Sequence, residues 1–313
     1  MKRLFLVILS LFSLSFAMAE VGERVIVGAE RLAEYGHLLA GRRVGVLTNH
    51  ASRVGRAHLV DTLLANGVDV TVIFAPADGF RGDGTVTKGR ESHLGITIKT
   101  IHSAPKANDV FACDVILCDL ESSGVRGEAL TSLYLLMGVC ADLEVPVVVL
   151  DRTLPGGRSV DGPIPESRYS TSGEVLPLPL VYGMTLGEAA RMINGEGWLT
   201  GGAKCLLTVV PCVNYDGECE CGKALQLMAR GLAVEVAVVT ENGQIDLSGV
   251  IEAYVASENR EEFFVGEEFN YQLGASYAKD MVEQGYTAAE IHTMWRTDVE
   301  RFQSQRAPYL IYK

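Results

Sequence analysis

The sequence predicts an α/β protein: a mostly parallel, Rossmann-like sheet with helices on both faces over residues 20–162, then a smaller α+β part over residues 163–313. Three observations carry this. A strand, a helix and a strand follow one another between residues 43 and 75, the spacing of a parallel crossover unit. Residues 145–150 are almost wholly apolar, as expected of a central strand covered on both faces. Four predicted strands end on polar residues, at Asn49, Asp78, Asp119 and Asp151. In a sheet of one polarity those ends share the crevice in which ligands bind.

The elements follow in order. Residues 1–19 read as an export leader: Lys2 and Arg3, then an apolar run, then Ala17-Met-Ala19 as a small-x-small cleavage site. The run is too short for a comfortable membrane span, which needs roughly 20 residues. The mature chain is therefore expected to be exported, periplasmic or secreted, with no stable membrane insertion. Residues 28–39 have helical spacing, residues 43–48 form a strand ending at Asn49, residues 57–64 form a helix, and residues 68–75 form the next strand. That strand runs into Phe74-Ala-Pro-Ala-Asp-Gly-Phe-Arg-Gly-Asp-Gly84, where one proline and three glycines stop regular structure around Asp78, Gly79 and Arg81. Residues 96–102 and 114–119 are strands, 128–141 a helix and 145–150 a strand. Pro163, Pro165, Pro177 and Pro179 then mark an irregular stretch, taken as the boundary to the second part. Thr185 with Glu188, and Thr287 with Glu290, have capping-box spacing and should start helices. Residues 206–210 and 234–239 read as strands, 246–256 and 291–302 as helices.

Composition excludes some functions. An apolar content of 48% suits a packed core, and a formal charge of -12 without a Lys/Arg cluster disfavours nucleic acid as a partner. Among seven cysteines, Cys113, Cys118 and Cys140 lie in apolar runs and read as buried thiols. Cys212 could pair with Cys219 or Cys221, giving one disulfide or none; a zinc site lacks a nearby His. No nucleophile elbow, phosphate-binding loop or His-Glu-x-x-His is present, and the glycine-rich loop lacks the dinucleotide order, so no cofactor or metal is expected. Of the six histidines only His50 falls at a strand end. Carboxylates and arginines around a crevice remain. Paired carboxylates suit glycoside hydrolysis, and a guanidinium beside them suits an acidic substrate.

Several motifs occur together: Val44-Gly-Val-Leu-Thr-Asn49; Ala75-Pro-Ala-Asp-Gly-Phe-Arg-Gly82; Asp119 with Gly124-Val-Arg126; Val149-Leu-Asp-Arg152 with Val160-Asp-Gly-Pro163; and Tyr182-Gly-Met-Thr185 with Gly187 and Glu188. Trp295, Asp298, Phe302, Arg306 and Tyr309-Leu310 close the set. In this order they resemble the bacterial exo-β-N-acetylmuramidases, long catalogued as a domain of unknown function. The resemblance implies an exported enzyme that removes N-acetylmuramic acid from peptidoglycan fragments. It also implies departures. Ala77 stands where the family carries its proposed catalytic glutamate, Ser122 where it has an aspartate, and Glu121 where it has a glutamine. A central segment of the family also looks absent between Val213 and Gly231.

Two readings follow. One is an active muramidase-like glycosidase using Asp78, with Glu121 or Glu128 as partner. The other is a catalytically silent relative, a pseudoenzyme that binds wall-derived sugars or a protein. Asn49, Gly79, Arg81, Asp119, Arg126, Asp151 and Arg152 are the expected substrate contacts in either case.

Overall fold

Strand β1 (Arg43–Thr48) lies at the centre of a seven-stranded sheet because every residue after Arg43 is buried, covered from both faces. A computed structural model describes residues 23–76, 80, 89–90, 95–169, 176–218, 227–239 and 243–312. The expected leader, with Ala77, Asp78, Gly79, Arg81, Cys219 and Cys221, lies outside them.

The strands are β1, a hairpin of β2 (Arg53–Val54) and β3 (Ala57–His58), β4 (Asp69–Pro76), β5 (Gly89–Arg90), β6 (Thr97–Ile101), β7 (Val115–Asp119), β8 (Val147–Leu150), β9 (Leu207–Val210), and a second hairpin of β10 (Leu227–Met228) and β11 (Ala237–Val239). The main sheet runs β5-β6-β4-β1-β7-β8-β9, with β6 to β9 parallel and β5 antiparallel. The chain moves outward from β1 through β4 to β6, then returns to β7 on the other side of β1. Strand order thus reverses between β1 and β7, the position at which open α/β sheets form their crevice.

Side chains alternate between two apolar clusters, as the two-residue period of a strand requires. Val147 and Val149 face one cluster and Val148 and Leu150 the other. The first cluster packs under α4 (Glu128–Asp142) and α5 (Leu186–Glu196), which follow the short α3 (Ala107–Phe111). The second is covered by α1 (Leu32–Leu39) and α2 (Leu59–Ala65).

A third cluster, built on Phe263, Phe264, Phe269 and Trp295, belongs to the C-terminal helices. These are α6 (Ser248–Ala256), α7 (Glu268–Leu273), α8 (Tyr277–Glu283), α9 (Ala288–His292) and α10 (Arg296–Arg306). Buried Asp161 ties them to the chain leaving β8. It accepts bonds from Trp295 Nε1 (2.7 Å), the Ile245 amide (2.9 Å) and His292 Nε2 (3.0 Å). Among the described residues no helix is long and apolar enough to cross a membrane.

Both capping boxes form as read. Two sequence expectations differ. The proline-rich stretch does not end the sheet, because β9 pairs with β8 in parallel beyond it and Leu178, Leu180, Val181 and Tyr182 are buried in the cores. The predicted helix over 291–302 is two helices, since the chain leaves helical geometry at Trp295 (φ -112°, ψ 2°). Cys212 is a free buried thiol, its Sγ 3.3 Å from the Asp151 carbonyl.

Candidate active site

The reversal of strand order brings together the ends of β1 and β7. Asn49, 7% exposed, clamps the backbone of Glu121: its Nδ2 donates to the Glu121 carbonyl (3.3 Å) and its Oδ1 accepts from the Glu121 amide (3.4 Å). Ser52 locks the clamp, since its Oγ lies 3.2 Å from Asn49 Oδ1 and donates to the Asp119 carbonyl at 2.5 Å. Below it, His58 caps α2. Its Nδ1 accepts from the Val60 amide (3.2 Å), so the ring proton sits on Nε2, facing the Asn49 carbonyl at 3.0 Å. The ring of Phe80, which lies between Gly79 and Arg81, packs edge-on against His58 with centroids 4.7 Å apart.

The ends of β7 and β8 are joined by charge. Arg152 holds the fully buried Asp119 carboxylate through two bonds, Nε to Oδ1 at 2.5 Å and Nη2 to Oδ2 at 2.8 Å, and also reaches the Arg53 carbonyl (3.0 Å). Burial pushes the Asp119 carboxyl up from its ordinary range, and Arg152 opposes that push. Burial likewise pulls Arg152 down, but the bonds to Asp119 hold it above its ordinary value. Glu121 is half-buried and close enough to act electrostatically on both partners.

Asp151 is placed differently from its neighbour. Its carboxylate is fully buried and satisfied by the chain itself: Thr185 Oγ1 (2.6 Å), the Gly187 amide (2.9 Å) and Tyr312 Oη (2.7 Å). Its part is therefore to hold the start of α5 and the C-terminal residues against β8. Burial raises its pKa to about 6, against the opposing effect of those three donors. Glu188 completes this block, accepting from the amides of Thr185 (3.0 Å) and Ile311 (2.8 Å) and from Arg158 (3.2 Å).

Two buried polar side-chain atoms lack a partner among the described residues, Thr48 Oγ1 and Arg126 Nε. Thr48 ends β1, and Arg126 lies in the loop after β7. Glu128 is exposed in the first turn of α4. Ser122 lies with its Oγ 3.0 Å from Tyr182 Oη.

Two models of one known family together match this chain from residue 44 to residue 312. The family model described as exo-β-N-acetylmuramidase NamZ, N-terminal, matches residues 44–225, and that for the NamZ C-terminal region matches residues 222–312. The chain belongs to the NamZ exo-β-N-acetylmuramidase family. The peptidoglycan β-N-acetylmuramidase NamZ of Bacillus subtilis (strain 168) is 30% identical over 178 residues, which span 53% of this chain and 42% of that protein. Two crystal structures of DUF1343 family proteins from Bacteroides fragilis NCTC 9343 are similar. One, at 1.30 Å resolution, is 30% identical with a TM-score of 0.78; the other, at 1.65 Å, is 20% identical with a TM-score of 0.76 and supports the fold. Each comparison covers 93% of this chain and 99% of the other.

Seen within the NamZ family fold, the expected site residues divide. Asn49 meets Glu121 and Asp119 meets Arg152, whereas Asp151 turns to Tyr312. Sequence reasoning missed Ser52, His58 and Tyr312. His58 falls inside the helix expected from residue 57, which in fact starts two residues later, at Leu59, so its capping role was hidden. The signal for Asp151 was present in the Thr185–Glu188 capping box, whose first turn supplies two of its three donors.

Proposed function

We propose that the crevice at the ends of β1, β7 and β8 hydrolyses N-acetylmuramic acid linkages in peptidoglycan fragments, with Glu121 as the proton donor. The observation that carries this is the Asn49 clamp, which fixes a half-buried glutamate at the switch point of a chain of this family. In the reaction Glu121 protonates the glycosidic oxygen as the bond from C1 breaks. Water then adds its oxygen to C1, and its proton passes to a second carboxylate. Asp78, one residue beyond the position of the family's glutamate, suits that second role by sequence. The Asp119–Arg152 pair forms the floor and keeps Arg152 fixed beside the donor. The leader-like residues 1–19 would deliver the protein to the periplasm or exterior, where such fragments occur.

A second reading has its own support. Ala77 carries no proton, and Asp119 and Asp151 are both committed to internal bonds. The crevice would then bind wall-derived sugar without cleaving it. Incubation with defined peptidoglycan fragments and mass spectrometry separates the two. Release of N-acetylmuramic acid that disappears in Glu121→Gln supports hydrolysis. Sugar binding without release supports the silent relative.

A further inference from the structure

Among the described residues the main sheet ends at β9, whose outer edge pairs with no further strand. The Val147 amide donates to the Leu206 carbonyl and the Asp151 amide to the Val210 carbonyl, each at 2.9 Å. In a parallel ladder, residues bonded to one neighbour alternate with residues whose main chain faces the other way. The amides and carbonyls of Leu207 and Val209 therefore point away from β8, and no described group bonds to them. Sheets blunt such an edge with charge, proline or a covering element. Here Lys204 and Pro211 only border it, and Leu206-Leu-Thr-Val-Val210 carries no charge. Leu206 is 59% exposed.

Beside this edge lies a recess of about 290 Å³, lined by Arg191 of α5, Leu207, Val209, Pro211 and Ile311. The edge and the recess together offer what an added strand requires: free main-chain partners, and an apolar hollow for alternate side chains. Charge selects the occupant. The chain as a whole is acidic, at -12, yet the groups flanking β9 are cationic. Arg191 lines the recess and makes no ion pair among the described residues. Lys204 spends its bonds on neutral carbonyls at the end of α5, including that of Gly195 at 2.9 Å. Arg31 reaches the Pro211 carbonyl at 2.7 Å, with Glu34 3.9 Å away. Two carboxylates of α5 are already engaged, Glu188 by Arg158 (3.2 Å) and Glu196 by Tyr309 (2.6 Å) and Gln305 (2.8 Å).

We propose that β9 is a docking edge for an extended acidic peptide segment of a partner protein, which adds a strand to the seven-stranded sheet and places a carboxylate against Arg191. Main-chain bonds to Leu207 and Val209 hold the segment in register, and the guanidinium selects its charge. The partner is not a second copy, because two copies of β9 set edge to edge would bring two cationic borders together. The site lies beyond β8 from the Asn49–Glu121 clamp, so it stands or falls separately from the sugar chemistry.

Fluorescence anisotropy tests it, using the full chain and short labelled peptides, blocked at both ends, in which valine and threonine alternate around one central glutamate or lysine. The wild type should bind the glutamate peptide about tenfold tighter than the lysine peptide, the size of one favourable and one unfavourable charge contact at a partly exposed site. Arg191→Glu should reverse that preference. Val209→Pro removes one outward amide and leaves the bonds to β8 in place, so it should lose both peptides while keeping its melting temperature. If that variant unfolds, the reversal in Arg191→Glu carries the test. No binding of the glutamate peptide, equal binding of the two peptides by the wild type, or a preference unchanged in Arg191→Glu overturns the proposal. So does peptide binding that survives in a folded Val209→Pro. Sedimentation adds a last arm: a wild-type dimer that Val209→Pro turns into a monomer gives the edge to a second copy and overturns the proposal as well.

Discussion

Replacing Arg152 by methionine removes the counter-charge of Asp119 while keeping most of the apolar stem. Three bonds go, two to the carboxylate and one to the Arg53 carbonyl. Asp119 is fully buried, and its other close contact, from Ser52, reaches its backbone carbonyl and not its carboxylate. The variant therefore carries an unpaired buried charge, a loss of about 3–5 kcal/mol. That exceeds the roughly 0.5–3 kcal/mol of an ordinary substitution. The sign with pH follows from linkage. Without Arg152 the folded-state pKa of Asp119 rises further above its unfolded value. The variant is then most stable below that unfolded value and loses stability as pH rises through the folded one. The gap to the wild type should thus be small near pH 4 and widest near pH 7. Urea unfolding followed by the fluorescence of buried Trp295 measures it, and Asp119→Asn with the double variant isolates the pair term. A loss below about 1 kcal/mol at pH 7, unchanged at pH 4, would refute a buried ion pair under the crevice.

Three further outcomes follow from the same geometry. Asp151, with a folded pKa raised to about 6 from an ordinary 3.8, stabilises most when protonated. Wild-type stability relative to Asp151→Asn should therefore fall by up to about 3 kcal/mol between pH 4 and pH 7, and a pH-independent difference would contradict the assignment. Tyr312→Phe removes the bonds to Asp151 (2.7 Å) and from the Cys212 amide (2.8 Å), and should lower the urea midpoint by an amount equivalent to about 1–3 kcal/mol. Asn49→Ala frees the Glu121 backbone, and should cut the turnover of a muramide by roughly 100-fold with little change in stability; equal loss of both would mean the clamp is only structural.

Much of the fold was legible because its signals are local. Apolar runs marked β1, β4, β7 and β8, and the Thr-x-x-Glu pairs marked the starts of α5 and α9. The polar strand ends were also visible, but not their directions. A carboxylate at a strand end can face the crevice or turn beneath it, and the donors that decide are remote. Arg152 reaches Asp119 across 33 residues, and Tyr312 reaches Asp151 across 161. No periodicity encodes such pairs. The proline-rich stretch misled for a related reason. Prolines forbid regular structure there, yet Asp161 and Val181 pair across it through two backbone bonds of 2.9 Å, and the crossover continues to β9. Irregular chain is not the same as a linker.

The central claim is that the clamped Glu121 donates a proton to a muramic acid glycoside. Release of chromophore from an aryl N-acetylmuramide by the purified protein, measured from acid to neutral pH beside Glu121→Gln and Ala77→Glu, tests it most directly. The account predicts turnover by the wild type and its loss, by roughly 10²–10⁴-fold, in Glu121→Gln. Silence in the wild type with activity in Ala77→Glu would contradict it, and would mark the protein as a relative whose crevice lost one group and kept its sugar.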